Sequence, residues 1–414
     1  MKHIILLGDG MADNKVGCLG NKTLLEYGRP EYMNKLAREG KCGMLKTIPN
    51  GFPPGSEVAN TAILGYELNK VYEGRGPLEA ASVGCEMADD DLALRCNIIT
   101  LENDKIITHN GGNITTNEAE ELIDYLNYHL ADERVKFVKG IQYRHLLIIK
   151  GGNKNIECAP PHDHPGEDWK FLSVKAKTKQ EAPKASNRIS AQETADIINN
   201  LIIKSQELLS IHPININREK EGRRQANSIW PWSGGYRPCM QTLLSQYKEI
   251  NSGSVISAVD LIKGIGHYAG LSIIEVEGAT GLTNTNYEGK AQAAIEALKK
   301  DDFVFVHVEA TDEAGHDGDI DLKLKAIDYF DKRIVKPIIH AIQQMNEPVC
   351  VAVLPDHPTP VEKRIHVNEP VPFVIWHNGI TADNVQNYDE ESCINGSFGL
   401  LDASEFMKEF MKIK

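Results

Sequence analysis

Long apolar runs are missing from this chain of 414 residues. The runs present, such as Ile4 to Leu7 and Val349 to Leu354, fall far short of the ~20 residues that cross a bilayer, so no membrane segment is expected. Only four apolar residues separate Met1, Lys2 and His3 from Gly8 and Asp9. That is too few for the apolar region of a secretory signal, and the expected location is the cytoplasm. Paired cysteines are missing too. The eight present, at positions 18, 42, 85, 96, 158, 239, 350 and 393, show neither metal-finger spacing nor the framework of a small secreted domain, which leaves them as reduced thiols. Positive charge is in deficit, with 45 Lys and Arg against 58 Asp and Glu and a formal net charge of −13. Binding along a phosphate backbone needs a basic face, so nucleic acid is not an expected partner. A small phosphorylated metabolite, held by a local group of basic residues, is compatible with the same balance.

What the chain does contain is an ordinary globular composition, 41% hydrophobic and 25% charged. Its length is more than one hydrophobic core usually serves, which implies two domains or one domain with a large insertion. One pattern recurs: a short continuous apolar run followed at once by acidic or histidine residues. Ile4-Ile5-Leu6-Leu7-Gly8-Asp9 is the first instance. Phe303-Val304-Phe305-Val306-His307-Val308-Glu309, continuing through Asp312 to His316, is the second, and Val349 to Leu354 followed by Pro355-Asp356-His357 is the third. Continuous runs suit strands buried on both faces. Helical patterns over Glu288 to Lys300 and Leu322 to Met345 separate them, as in a doubly wound, mostly parallel α/β sheet. Such sheets bind ligands beyond the carboxyl ends of their strands. The middle of the chain reads differently, with a hairpin over Leu92 to Ile107, a helix over Thr116 to Leu130, a strand over Arg144 to Lys150 and an exposed loop at 170–190. A smaller α+β domain is therefore placed at 82–224, inserted into a domain formed by 1–81 and 225–414.

Asp312 and His316 stand four apart after one strand, Asp356 and His357 are adjacent after another, His366 follows shortly, and Asp9 ends the first. A mixed carboxylate and imidazole set suits Mn²⁺ or Zn²⁺ better than Ca²⁺, and this many ligands exceed the needs of one ion. Two divalent ions are expected, Mn²⁺ first, with Zn²⁺, Co²⁺ or Mg²⁺ able to take its place. A single Asp after a strand is more often a helix cap than a ligand; three such positions ending three apolar runs shift that balance toward metal. Ser56, in Pro53-Pro54-Gly55-Ser56-Glu57-Val58-Ala59-Asn60, falls where a helix should begin. On its own the position reads first as an N-cap serine. It also puts a hydroxyl at the positive end of a helix dipole, a ready phosphate site, and a nearby divalent cation would make it a competent nucleophile.

Gly8-Asp9-Gly10-Met11-Ala12-Asp13, Pro54-Gly55-Ser56, His307-Val308-Glu309-Ala310 through Asp312 to His316-Asp317-Gly318, and Asp356-His357-Pro358-Thr359-Pro360 together resemble the cofactor-independent phosphoglycerate mutases, most closely their archaeal-type branch within the alkaline phosphatase superfamily. The resemblance runs over nearly the whole chain. It implies an alkaline phosphatase-like domain with one metal on Asp312, His316 and His366 and a second on Asp9, Asp356, His357 and the Ser56 oxygen. It further implies that Ser56 becomes a phosphoserine while the inserted domain holds the glycerate for return to the other hydroxyl. No bisphosphoglycerate is then needed. Substrate contacts are implied at Arg144 and His145, His162 and Asp163, and Arg237, with Asn187, Arg188, Asn215 and Arg218 as further candidates.

Two departures stand out. Glu57 occupies a position where the family usually has Asp, and Ile106-Ile107-Thr108-His109-Asn110-Gly111-Gly112-Asn113 lacks the arginines that similar mutases carry there. Losing fixed positive charge beside an anionic glycerate removes a charge-assisted partner, which keeps another acceptor in view. A bacterial subgroup that resembles these mutases has been proposed to act as homoserine kinases, and that is the alternative reading, together with a plain phosphatase. The chain has no Gly-rich loop ending in Gly-Lys-Ser or Gly-Lys-Thr for a nucleotide. A catalytically silent metal-binding module is disfavoured because the full ligand set and Ser56 are retained.

Overall fold

The computed structural model describes residues 1–177 and 188–412. In chain order its strands are β1 (Lys2–Gly8), β2 (Lys41–Lys46), β3 (Leu92–Glu102), β4 (Lys105–Thr108), β5 (Val135–Val138), β6 (Arg144–Ile149), β7 (Ile156–Glu157), β8 (Lys175–Ala176), β9 (Ser228–Gly235), β10 (Gly253–Ile256), β11 (Ser272–Ile273), β12 (Phe303–Val308), β13 (Val349–Leu354), β14 (Val371–Trp376) and β15 (Leu400–Asp402). They belong to two units, one formed by Met1–Tyr72 with Cys239–Lys414 and the other by Glu73–Pro238.

The first unit is a doubly wound sheet in the order β11-β10-β12-β1-β13-β14-β2-β15, in which only β14 runs against its neighbours. The three runs singled out in the sequence become its centre, β12-β1-β13. Ile4 to Leu7 are completely buried, worth ~1.5–3 kcal/mol for each side chain removed from water. Ile4 and Leu6 share a core with helices Glu31–Glu39, Tyr287–Leu298 and Ile320–Phe330. The opposite face takes helix Ala403–Lys412, whose Phe406 meets Phe373 of β14 edge-on. After Ile320–Phe330 a π turn, Asp331–Val335, sets the Asp331 carboxylate to accept from the Tyr32 and Met33 amides at 3.0 and 2.8 Å. It supplies the cap that Pro30 cannot give to helix Glu31–Glu39.

The second unit is an antiparallel sheet, β4-β3-β6-β5, with β9 also on β3. The hairpin expected over 92–107 forms β3 and β4, turning at Asn103 and Asp104 with φ of 51° and 63°, the left-handed pair that suits a tight hairpin. Helices Thr116–Leu130 and Ala191–Ser210, both started by capping boxes, bury one face of the sheet. Ala80 of helix Arg75–Ser82 packs with Ala93, Leu146 and Ile148 in a separate cluster. The unit is longer than the expected insertion of 82–224, because β9 pairs with β3 from Ile99 opposite Ser228 to Ala93 opposite Gly235. A strand cannot be left out of the sheet that holds its hydrogen bonds. Within the loop expected at 170–190, the turn Trp169–Leu172 buries Trp169 and β8 pairs with β7; residues 178–187 lie outside the described set.

Candidate metal and phosphoryl-transfer site

Parallel register puts the ends of β12, β1 and β13 side by side: Gly8 lies opposite Val308, and Leu7 opposite Leu354. The next residues of each strand are therefore delivered to one place. Asp9, Asp312, Asp356 and His357 are all buried there. Helix Ala310–Asp317 carries Asp312 and His316 one turn apart. His316 Nε2 is 3.2 Å from Asp312 Oδ2, His366 Nε2 is 3.4 Å from Asp312 Oδ1, and the two imidazole nitrogens are 2.9 Å apart. Ligand atoms of these three residues all lie within 4.8 Å of one another, and so do those of Asp9, Asp312 and His357.

Ser56 is the first residue of helix Ser56–Ile63, whose N-cap is Gly55. The N-cap reading of this serine is therefore corrected. Its Oγ is 3.1 Å from His357 Nε2. Asn60, one turn on, donates to Ser56 O and to Asp356 Oδ2, both at 2.8 Å, and so ties the helix to the loop after β13. Asp356 Oδ1 accepts from the Gly10 and His357 amides at 3.0 and 2.9 Å. Gly10 has φ of +61°, and a Cβ there would strike the side chains of Asp312 and Thr359, so this turn admits only glycine. Glu57 lies buried over Gly55, with Tyr72 Oη donating to it at 3.4 Å.

Two residues of this site were not singled out from the sequence. His307, inside β12, faces Asp9 Oδ2 through Nε2 at 2.9 Å and Ser257 Oγ through Nδ1 at 3.2 Å. A histidine in the run FVFVHV was the visible signal, since a buried polar side chain needs partners. Asn60 gave no signal, because asparagine on a helix is ordinary.

The electrostatics suit cations. Asp9 is pushed well above the usual carboxylate range by burial and by the charges of Asp356, Asp312 and Glu309, and its Oδ1 is buried with no hydrogen-bond partner. Burial acts on Asp312 in the same direction, but hydrogen bonds from His316 and His366 outweigh it and hold the carboxyl well below its usual range. His316 is raised to about 9, chiefly by its hydrogen bond to Asp312. Burial keeps His357 low. An orphaned carboxylate oxygen among oxygen and imidazole donors is a donor set that divalent transition ions fit.

A family model described as 2,3-bisphosphoglycerate-independent phosphoglycerate mutase matches residues 37–215. A protein of that name from Methanosarcina mazei is 48% identical over the full length of both chains. The chain belongs to this family. A second relative, 2,3-bisphosphoglycerate-independent phosphoglycerate mutase 2 of Methanothermobacter thermautotrophicus, is 44% identical over 99% of this chain and 97% of its own. Among solved structures, the PH0037 protein from Pyrococcus horikoshii is similar with a TM-score of 0.81 and 29% identity, covering 99% of this chain and 97% of that one. The cofactor-independent phosphoglycerate mutase from Thermoplasma acidophilum shares the fold, with a TM-score of 0.68 at 24% identity over 100% and 99% of the two chains. As a mutase of this family, the chain is an enzyme.

In the second unit, the residues implied to meet substrate separate into two groups. Arg144 lies over Tyr143 at 5.3 Å, Tyr143 meets His109, and His109 meets His162, which packs edge-on against Trp232 at 5.2 Å. Arg95 lies over the same Trp232 at 5.1 Å and is paired with Glu79 at 3.2 Å. Its Nε is buried without a partner. The charges of Arg75 and Arg144 act on Arg95, and those of Arg75 and Arg95 act on His162. Asp163 lies 3.6 Å from His162 Nε2, while Arg237 faces Asp89 at 4.0 Å. Arg75 and Arg95 were not singled out from the sequence; Arg95, a charge inside LALRCNIIT, was the detectable one. Four other candidates make hydrogen bonds within the unit. Arg218 donates to Arg224 O, Glu118, Gly111 O and Gly112 O. Asn215 holds Leu209 O and Ala226, Arg188 stacks on Tyr236 and holds Asp89 O, and His145 accepts from Gly140 N. Asn187 lies outside the described residues.

Because His316 holds its proton up to about pH 9, an ion binding at Asp312, His316 and His366 must displace it. Zn²⁺ affinity of the metal-free protein is therefore expected to rise by about tenfold per unit between pH 6.5 and 8.5, one proton being released. Chelator competition across that range measures it; an affinity that stays flat would remove His316 from the ligand set.

Proposed function

We propose that the chain interconverts 3-phosphoglycerate and 2-phosphoglycerate through a phosphoserine at Ser56, without bisphosphoglycerate. The observation that carries this reading is the placement of Ser56 Oγ at a helix start, 3.1 Å from His357 Nε2, a nitrogen that itself lies 3.6 Å from Asp9 Oδ1 and 3.5 Å from Asp356 Oδ2. In this reading Asp312, His316 and His366 hold one divalent ion, and Asp9, Asp356, His357 and Ser56 hold a second. Mn²⁺ is the proposed metal; Zn²⁺, Co²⁺ or Mg²⁺ would suit the same donors. Bound there, such ions would draw charge from the phosphoryl oxygens and lower the pKa of the serine hydroxyl. Ser56 Oγ forms its bond to phosphorus as the bond from phosphorus to the substrate's O3 breaks. The glycerate is retained, and its O2 then takes the phosphoryl group back from Ser56.

The second unit carries, within itself, a group of side chains that suits an anion such as glycerate. Arg95, Arg144 and Arg75 gather positive charge near Trp232; burial and these arginines lower His109 and His162, which stand there as neutral imidazoles, with Asp163 3.6 Å from His162 and Arg237 as an outer contact. The unpartnered Arg95 Nε offers a donor that a carboxylate or phosphate would satisfy. These groups stand in for the arginines missing at 108–113. A cationic group of this kind favours the multiply anionic phosphoglycerate over zwitterionic homoserine, whose ammonium offsets the attraction of its carboxylate, and so favours the mutase over the kinase. The reaction is assigned to the cytoplasm and to glycolysis, where three-carbon phosphoglycerates are made and consumed. No described helix is long and apolar enough to cross a membrane.

Phosphorus NMR of the Mn²⁺-loaded protein with 3-phosphoglycerate alone is expected to show the 2-isomer, and with homoserine plus ATP to show no phosphohomoserine. The reverse pattern would replace the mutase by the kinase. Ser56→Ala is expected to lose at least ~1,000-fold in kcat with unchanged circular dichroism, as for loss of a nucleophile; full turnover would sink the phosphoserine route. Arg95→Met is expected to raise KM by roughly 10–100-fold, the value of a charge-assisted hydrogen bond, with kcat less affected. A wild-type KM in that variant would take Arg95 out of the anion site.

A further inference from the structure

Thr359, two residues past His357, touches both proposed metal sets. Its Oγ1 is 2.5 Å from Asp312 Oδ1 and 3.3 Å from His357 Nδ1. A hydroxyl has one proton to give. The shorter bond, to a carboxylate that already faces two histidines, takes that proton, so the hydroxyl oxygen is left to accept from His357 Nδ1–H. A neutral imidazole that carries its proton on Nδ1 presents a lone pair at Nε2, the atom that faces Ser56 Oγ at 3.1 Å and Asp9 Oδ1 at 3.6 Å.

Thr359 is itself held in place. Its carbonyl accepts from Lys323 Nζ at 2.8 Å, and the same ammonium donates to Asp13 Oδ2 at 2.7 Å and to Ala12 O at 3.2 Å. Three acceptors match the three protons of a fully buried lysine. The Thr359 amide returns to Ala12 O at 3.3 Å, and Asp13 Oδ2 also accepts from Val361 N at 3.2 Å. The loop after β1 and the loop after β13 are thus clamped on either side of Thr359. Gly315 has no room for a Cβ against the Thr359 backbone and side chain, which fixes the helix bearing Asp312 at the same point.

We propose that Thr359 is a positioning residue that couples the two metal sets, fixing His357 as its Nδ1–H tautomer while orienting the Asp312 carboxylate. The inference rests on the metal-ligand reading given above. Outer-shell hydrogen bonds of this kind are worth 10–100-fold in metal affinity. Chelator competition with Zn²⁺ on metal-free protein is expected to show two ions bound by the wild type. Thr359→Val, which keeps the shape and loses the hydroxyl, is expected to weaken both by roughly 10–100-fold while the metal-free forms melt alike. Thr359→Ser is expected to restore wild-type affinity. Wild-type affinity in Thr359→Val, a loss at one ion only, or a Ser variant as weak as the Val variant would each overturn the proposal. A wild type that binds no divalent ion would overturn the ligand reading instead. Nitrogen-15 NMR of the histidines in the metal-free wild type is independent of how the variants fold: His357 protonated at Nδ1 supports the proposal, and protonation at Nε2 overturns it.

Discussion

Three carboxylates, those of Asp9, Asp312 and Asp356, are buried beside one another at the ends of three neighbouring parallel strands. Two such charges 4 Å apart repel by about 4 kcal/mol even at an effective dielectric of 20. Much of the first unit answers that repulsion. Asp356 is given the Gly10 and His357 amides and the Asn60 amide group. Asp312 is given Thr359 and two imidazoles. Asp9 is given His307 on one oxygen and nothing on the other. Compensation is complete around the rim and incomplete in the middle, which is where a divalent cation would bring the charge that fixed side chains do not.

Holding the carboxylates together requires loops that cannot relax apart, and the Lys323 clamp provides it at a cost. Burying an ammonium and a carboxylate is expensive, and a buried pair returns that cost only when every proton and lone pair finds a partner. Lys323 meets this condition through Asp13, Ala12 O and Thr359 O. Replacement of such a pair by apolar residues often leaves stability unchanged, so its presence here points to geometry as what it contributes. Glu390 extends the same network, accepting from Asp13 N at 2.9 Å and Thr23 Oγ1 at 2.6 Å; burial raises its carboxyl to about 7.

The sheet of the first unit was legible because continuous apolar runs and the acids that follow them are local patterns, and parallel register then fixes what lies beside what. Pairing between distant strands was not legible. Ser228 to Gly235 carries no mark that it belongs with Leu92 to Glu102, which is why the insertion came out too short. The type of a charged residue does not distinguish its role. Arg218 and Arg95 are both buried arginines, yet Arg218 has its protons taken by carbonyls and Glu118, whereas Arg95 keeps one nitrogen unpartnered. Only the accounting of hydrogen bonds separates a structural arginine from one with capacity left over.

The stretch 108–113, where arginines were missed, shows why absence at one position says little about charge at a site. Gly111 and Gly112 both have positive φ, and their carbonyls converge on Arg218, with Gly112 leaving no space for a side chain against it. The turn is committed to holding the insertion together. Arg95 lies in the middle of β3 and Arg144 at the start of β6, strands that face each other in antiparallel register with Asn97 opposite Arg144. Burial pulls the Arg95 guanidinium below its usual range, and Glu79 only partly restores it. Keeping that group charged and incompletely bonded is unfavourable for the free protein, as is leaving Asp9 Oδ1 without a donor in the other unit. Each unit thus keeps a buried polar group whose bonding capacity its own side chains leave unused.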